Sequence, residues 1–316
     1  MRLFLLAALL SCLGHATAGA QPAPAADARA NTGPASVAAA TIAMSRQIDF
    51  TSAVDGHSYR IQIAIPFAPP PKAGYPVLYV LDGDTYFGTF SMAARLRTIG
   101  QELEPAVVVG IGYPDAQDDM RVALVRRDYD LTPTPGTAAD SAQTQAMTGM
   151  SPTYAGADRF LKVILTEIEP RVAAATSVNP ARSMLFGHSL GGLFVLHALF
   201  THPDAFQTWL ALSPSIWWDS RVVLKDEAAF AGQVAAGNVA PRIFIGVGAR
   251  EQPKPDDFMM VGNASALADR LSGIKGAPGY VVASRVFEGQ THLSVPFAAA
   301  DALLDFALPP AAPPAK

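Results

Sequence analysis

Between a strand-like run, Ser183 to Phe186, and an apolar helical pattern, Gly192 to Val195, stands the pentapeptide Gly187-His188-Ser189-Leu190-Gly191. A serine at so sharp a strand-to-helix turn needs small residues two before and two after it, because side chains at Gly187 and Gly191 would meet the tight backbone. The turn lifts the hydroxyl clear of the sheet. It also sets the Leu190 N–H at a helix start, where free amides and the helix dipole favour a developing negative charge. Ser189 is the candidate nucleophile and Leu190 a candidate oxyanion donor. The alternative, a serine that only caps a helix in a Gly-rich chain, leaves the flanking strand and helix unexplained.

The rest of the chain supplies the sheet such a turn needs. Val77 to Leu81, Ala106 to Val109, Ser183 to Phe186, Trp209 to Leu212, Ile243 to Val247 and Tyr280 to Val282 are short, continuous apolar runs rich in β-branched residues. Runs of this kind suit strands covered on both faces. Helical patterns between them (Phe160, Leu161, Ile164, Ile168; Leu193, Leu196, Leu199; Leu303, Leu304, Phe306) supply crossovers, so the expected class is α/β, a doubly wound, mostly parallel sheet. Ile48 and Phe50, then Tyr59, Ile61, Ile63 and Ile65, alternate about Asp55-Gly56 and predict an N-terminal antiparallel hairpin at the sheet edge. With 316 residues, half of them hydrophobic, one large domain is favoured over two small ones.

The ends read differently from this body. Met1-Arg2, the apolar Leu3 to Leu10 and the Ala18-Gly19-Ala20 cleavage pattern predict a signal peptide over residues 1–20 and a periplasmic or secreted protein. The leader is far shorter than the roughly 20 apolar residues that span a bilayer. Leu9-Leu10-Ser11-Cys12 loosely matches a lipidation signal, which makes a lipid anchor at Cys12, the single cysteine, the rival to soluble export. Residues 21–45 and 309–316, rich in Ala and Pro, are expected to be a disordered linker and tail, leaving residues 46–308 as the folded domain. A net charge of −4 and a pI near 5.8 provide no basic field for nucleic acid. Residues 114–156 form a long polar excursion, expected to be a pocket-covering insertion.

A serine hydroxyl needs an imidazole to take its proton, and the imidazole gains from an orienting carboxylate. Of six histidines, His15 lies in the leader, His57 in a turn before the nucleophile, and His188 beside it, where the turn points it elsewhere. His197 and His202 fall in and at the end of the following helix. His292, in a loop after the last strand, is the candidate base. Glu251, just past the run ending Gly246-Val247-Gly248, is the favoured acid, with Asp256 and Asp257 as rivals and Thr291 or Ser294 as partial substitutes. The second oxyanion donor is expected in the loop Leu81-Asp82-Gly83-Asp84, at the Asp84 amide. Asp82 and Asp84 as metal ligands lack a matching cluster, and neither a dinucleotide fingerprint nor a P-loop lysine is present, so no cofactor is expected.

With these residues placed, the chain from about 46 to 306 resembles the esterase family of α/β-hydrolases that includes the enterochelin and bacillibactin esterases. The resemblance rests on Tyr79-Val80-Leu81-Asp82-Gly83-Asp84, Gly110-Ile111-Gly112-Tyr113, Arg127-Asp128-Tyr129-Asp130-Leu131-Thr132-Pro133, Gly187 to Gly192, Ser213-Pro214-Ser215-Ile216-Trp217-Trp218 and His292. It implies the α/β-hydrolase fold and cofactor-free serine ester hydrolysis by Ser189 and His292. It does not carry the acid over, since some siderophore-cleaving members work with little help from one. Cyclic siderophore triesters are the implied substrates; other carboxylesterases, including those acting on sugar-linked esters, and more distantly acyltransferases, share the pattern. An iron-bound catecholate ester is strongly anionic, so Arg126 or Arg127 is expected at the pocket mouth. Trp217 and Trp218 either wall the pocket or pack in the core. A noncatalytic binding protein that retains the fold is the remaining alternative, and the intact Ser189 and His292 argue against it.

Overall fold

A computed structural model describes residues 41–252 and 258–308. The leader with Cys12, residues 21–40 of the expected linker, Asp256, Asp257 and the 309–316 tail lie outside the described residues. The strands are β1 (Ser45–Thr51), β2 (Ser58–Ala64), β3 (Tyr75–Val80), β4 (Val107–Gly112), β5 (Val178–His188), β6 (Thr208–Leu212), β7 (Arg242–Gly248) and β8 (Val281–Phe287). They form one sheet in the order β1-β2-β4-β3-β5-β6-β7-β8. β1 and β2 are antiparallel, with Ile48 opposite Ile61 and Phe50 opposite Tyr59, and β2 meets β4 antiparallel as well. Every later pairing is parallel. The hairpin turns where Gly56 takes φ 76°, a left-handed conformation that costs glycine little.

The helices are α1 (Gly83–Ile99), α2 (Met120–Leu131), α3 (Ala138–Thr148), α4 (Ala157–Val163), α5 (Glu169–Ala175), α6 (Leu190–Thr201), α7 (Trp218–Arg221), α8 (Glu227–Ala235), α9 (Met260–Ser272) and α10 (Val295–Ala307). α4 runs into α5 through a π-helical stretch, Ile164–Ile168, which ends two residues before Pro170, whose ring and missing N–H would otherwise break the helical hydrogen-bond ladder. Alternation along the strands fills two cores. Val77, Tyr79, Leu185, Trp209 and Ile243 pack with α4, α6 and α9 on one face, whereas Leu78, Val80, Phe186, Leu210 and Phe244 pack with α1 and α10 on the other. α6 is buried almost throughout, which accounts for its apolar sequence on every side. Among the described residues no helix is long and apolar enough to cross a membrane.

The 114–156 excursion is not an irregular loop. It holds a 3₁₀ turn at Pro114–Gln117 and the helices α2 and α3. α3 starts in a capping box in which the Asp140 backbone N–H donates to Thr137 Oγ1, while the Asp140 carboxylate accepts from the Thr137 N–H. Both helices are too polar for an apolar stripe to reveal them in sequence. Parallel pairing leaves the carboxyl ends of β3 to β8 along one edge of the sheet, where Asp82, Ser189, Ser213, Glu251 and His292 follow their strands.

Candidate active site

The elbow is built by steric exclusion. Ser189 sits at φ 60°, ψ −118°, an unfavourable backbone for a residue with a side chain, tolerated at nucleophile elbows because the surroundings enforce it. A Cβ on Gly187 would lie 2.1 Å from the Gly191 carbonyl oxygen, so this glycine is required. The second one required is Gly192 rather than Gly191: its Cβ would come 2.8 Å from Pro214 Cα and 2.9 Å from Leu212 O, whereas one on Gly191 would meet nothing closer than Asp82 Oδ2 at 3.4 Å. The elbow is pinned from β6, with the Ser189 N–H donating to Leu212 O at 3.0 Å and the Ser215 N–H donating to Ser189 O at 3.1 Å.

Three side chains from three strand ends meet in line. Ser189 Oγ lies 2.9 Å from His292 Nε2, and His292 Nδ1 lies 2.6 Å from Glu251 Oε2. With Nδ1–H facing the carboxylate, Nε2 is left as the acceptor for the serine proton. Glu251 is 5% exposed, and its other oxygen accepts from Ser213 Oγ at 2.6 Å and from the Gly248 N–H at 2.7 Å. Those donors fix the carboxylate's orientation. Gly248 is needed there, since a Cβ would stand 2.8 Å from Glu251 Oε1. Thr291 and Ser294 bond to each other instead, forming the turn that delivers His292 to the edge.

His188, set aside in the sequence because the turn should aim it away, passes behind the base. Its ring is 4.5 Å from that of His292, and its Nδ1 is 2.9 Å from Tyr86 Oη. Burial, with the Arg127 guanidinium adding to it, holds His188 well below the usual imidazole range, so it is neutral at pH 7. Ser213, His188 and Tyr86 are supports that sequence reasoning missed. The Ser-Pro-Ser run was a signal for the first; nothing local marked the other two.

Ser189 opens into a cleft of about 480 Å³, within the roughly 300–1,000 Å³ of small-molecule sites. Leu190, the first residue of α6, lines it together with Asp84 from the first turn of α1. The Asp84 carboxylate accepts from the Tyr113 N–H at 2.9 Å and fills the space beside Gly112, where a Cβ would lie 2.2 Å from Oδ2. Burial pushes its carboxyl up, opposed by that amide. Gly110 is needed next to Phe87 for the same reason. The two motif segments are thus a matched pair, one clearing space for the other.

Trp217 and Trp218 both line the cleft. Trp218 is also buried and donates from Nε1 to Thr134 Oγ1, so wall and core are both served. The two arginines part company. Arg127 lines the cleft with its guanidinium bidentate on Asp82, at 2.9 and 3.1 Å. Arg126 turns to the buried Asp130 at 3.3 Å and lies over the rings of Tyr59 and Tyr113.

Such a constellation can transfer an acyl group to serine and then to water. The family model described as "Putative esterase" matches residues 52–281. The chain belongs to this esterase family. It is a serine esterase of α/β-hydrolase fold. It is 36% identical over 263 residues to the ferri-bacillibactin esterase of Bacillus subtilis, covering 82% of this chain and 88% of that one. It is 32% identical to the siderophore triacetylfusarinine C esterase of Aspergillus fumigatus, covering 76% and 85% respectively. Among solved structures, the BES protein from Bacillus cereus superposes with a TM-score of 0.74 at 30% identity, covering 87% of this esterase and 98% of that chain. A siderophore hydrolase from Aspergillus nidulans superposes with a TM-score of 0.71 at 28% identity, covering 86% and 98%.

Proposed function

We propose that this esterase hydrolyses the backbone esters of a siderophore, with Ser189 as nucleophile, His292 as general base and then acid, and Glu251 as the orienting carboxylate. The observation that carries the reading is the line Ser189 Oγ, His292 Nε2, His292 Nδ1, Glu251 Oε2 at 2.9 and 2.6 Å, beside a cleft of about 480 Å³ that Ser189 and His292 both line. Ser189 attacks the carbonyl as Nε2 takes its proton. The tetrahedral oxyanion is held by the Leu190 and Asp84 amides, His292 returns the proton to the leaving alcohol, and water repeats the cycle on the acyl-enzyme. The siderophore reading is supported by the names of relatives that align over most of their length.

The test is chromatography of siderophore triesters, with and without iron(III), incubated with enzyme. The expected result is ring-opened or monomeric hydroxy acid, formed by wild type and not by Ser189→Ala. Hydrolysis confined to simple aryl esters would reject the siderophore substrate while leaving the esterase intact. An acyltransferase would instead convert an added alcohol into a new ester faster than it releases acid.

A further inference from the structure

The cleft carries more negative charge than ester hydrolysis calls for. Asp82, Asp84, Asp128 and Asp140 line it, and among the described residues Arg127 is the one lysine or arginine that does. Arg127 is held by its bidentate partner Asp82 and its charge also reaches Asp128, so a single guanidinium faces four carboxylates in the lining. Asp128 and Asp140 take side-chain hydrogen bonds from neutral donors, the hydroxyls of Thr144 and Thr137. The Arg60 charge acts on Asp84, and Arg60 is itself held by Asp49 at 2.7 and 2.8 Å. The outer wall adds apolar surface: Met120, Met147 and Leu293 line the cleft and are exposed, and Trp217 stands beside Phe258.

We infer that this site is selective for an electroneutral ester and discriminates against the trianionic iron(III) complex of a tricatecholate. The inference rests on the siderophore reading and narrows it. Three catecholates bring six negative charges to iron(III) and leave a net charge of −3. Three hydroxamates bring three and leave none, and an iron-free tricatecholate lactone is protonated, hence neutral, near pH 7. A trianion approaching a lining of four aspartates and one guanidinium is repelled on encounter and again in the cleft, where charges are less screened than in water. Hydrolysis then adds water across a neutral ester and creates a new carboxylate. The same field drives that product out.

The measurement is kcat/KM at pH 7 and low ionic strength for a ferric trihydroxamate triester, an iron-free tricatecholate trilactone and the iron(III) complex of that trilactone. The two neutral substrates are expected to exceed the trianion by about tenfold or more. Salt on the order of 0.3 M, which shortens the Debye length to about half its low-salt span or less, raises the rate for the trianion and leaves the neutral pair unchanged. Asp128→Asn and Asp140→Asn act on the trianion in the same direction; should either fail to fold, the salt response of wild type carries the test. A trianion hydrolysed as fast as the neutral esters, or slowed by salt, overturns the inference. If none of the three is cleaved while aryl esters are, the siderophore reading is what fails. The charge preference is then read on an aryl butyrate against the matching aryl hemisuccinate: a faster butyrate upholds it and parity overturns it.

Discussion

At the scale of the residue, Glu251 is held by donors that a neutral amide could only partly keep. In Glu251→Gln the Ser213 hydroxyl and Gly248 N–H retain an acceptor, but the amide nitrogen then faces His292 Nδ1 and favours the tautomer that cannot accept the serine proton. Steady-state kinetics on an aryl ester should show kcat reduced by about 10²- to 10⁴-fold with KM little changed. Ser189→Ala and His292→Ala should each abolish most turnover, and the double variant should lose little more, because they act as one unit. The meeting of Ser189 and His292 was legible in the sequence through chain order and elimination, and that of Glu251 with them through its position just past a strand. The second-layer supports were not. Ser213, Tyr86 and His188 acquire their roles only when β5, β6 and α1 meet, and no spacing along the chain records that meeting.

At the scale of the element, the elbow shows where pattern and packing part. The pentapeptide predicts two required glycines at 187 and 191, yet the atoms crowd Gly187 and Gly192. Gly187→Ala should therefore destabilise by roughly 1–3 kcal/mol, because an added methyl must displace backbone. Gly191→Ala, in the first turn of α6 with room at 3.4 Å, should be neutral or stabilising by up to about 1 kcal/mol, the gain of alanine over glycine in a helix. Urea midpoints of the two variants separate these outcomes. The strands were legible because burial on both faces makes them continuous apolar runs. α2 and α3 escaped notice because both line the cleft and α2 reaches the core only through Ala123 and Leu131, so neither carries a wide apolar face. For the same reason the charge of Arg127 could be foreseen while its partner, Asp82, could not.

At the scale of the molecule, burial of acids makes stability depend on pH. Asp130, fully buried, and Glu169 are both pushed up to about 7 by burial, from ordinary values of 3.8 and 4.5. Each binds its proton more tightly in the folded chain, so the stabilisation is full below about pH 4 and is lost as pH rises through about 7. Thermal melts should show Glu169→Gln gaining on wild type as pH is raised from about 4 to about 8, the variant having no charge to bury. A difference that is flat across this range would contradict the assignment.

The proposed chemistry is acyl transfer to Ser189 assisted by His292. The direct measurement is stoichiometric reaction with a p-nitrophenyl alkylphosphonate, followed by peptide mass mapping of the adduct. One equivalent of nitrophenolate per chain, an adduct on the peptide containing Ser189, none in Ser189→Ala and a strongly slowed reaction in His292→Ala are expected. An adduct on another residue, or ester hydrolysis undiminished in Ser189→Ala, would contradict it.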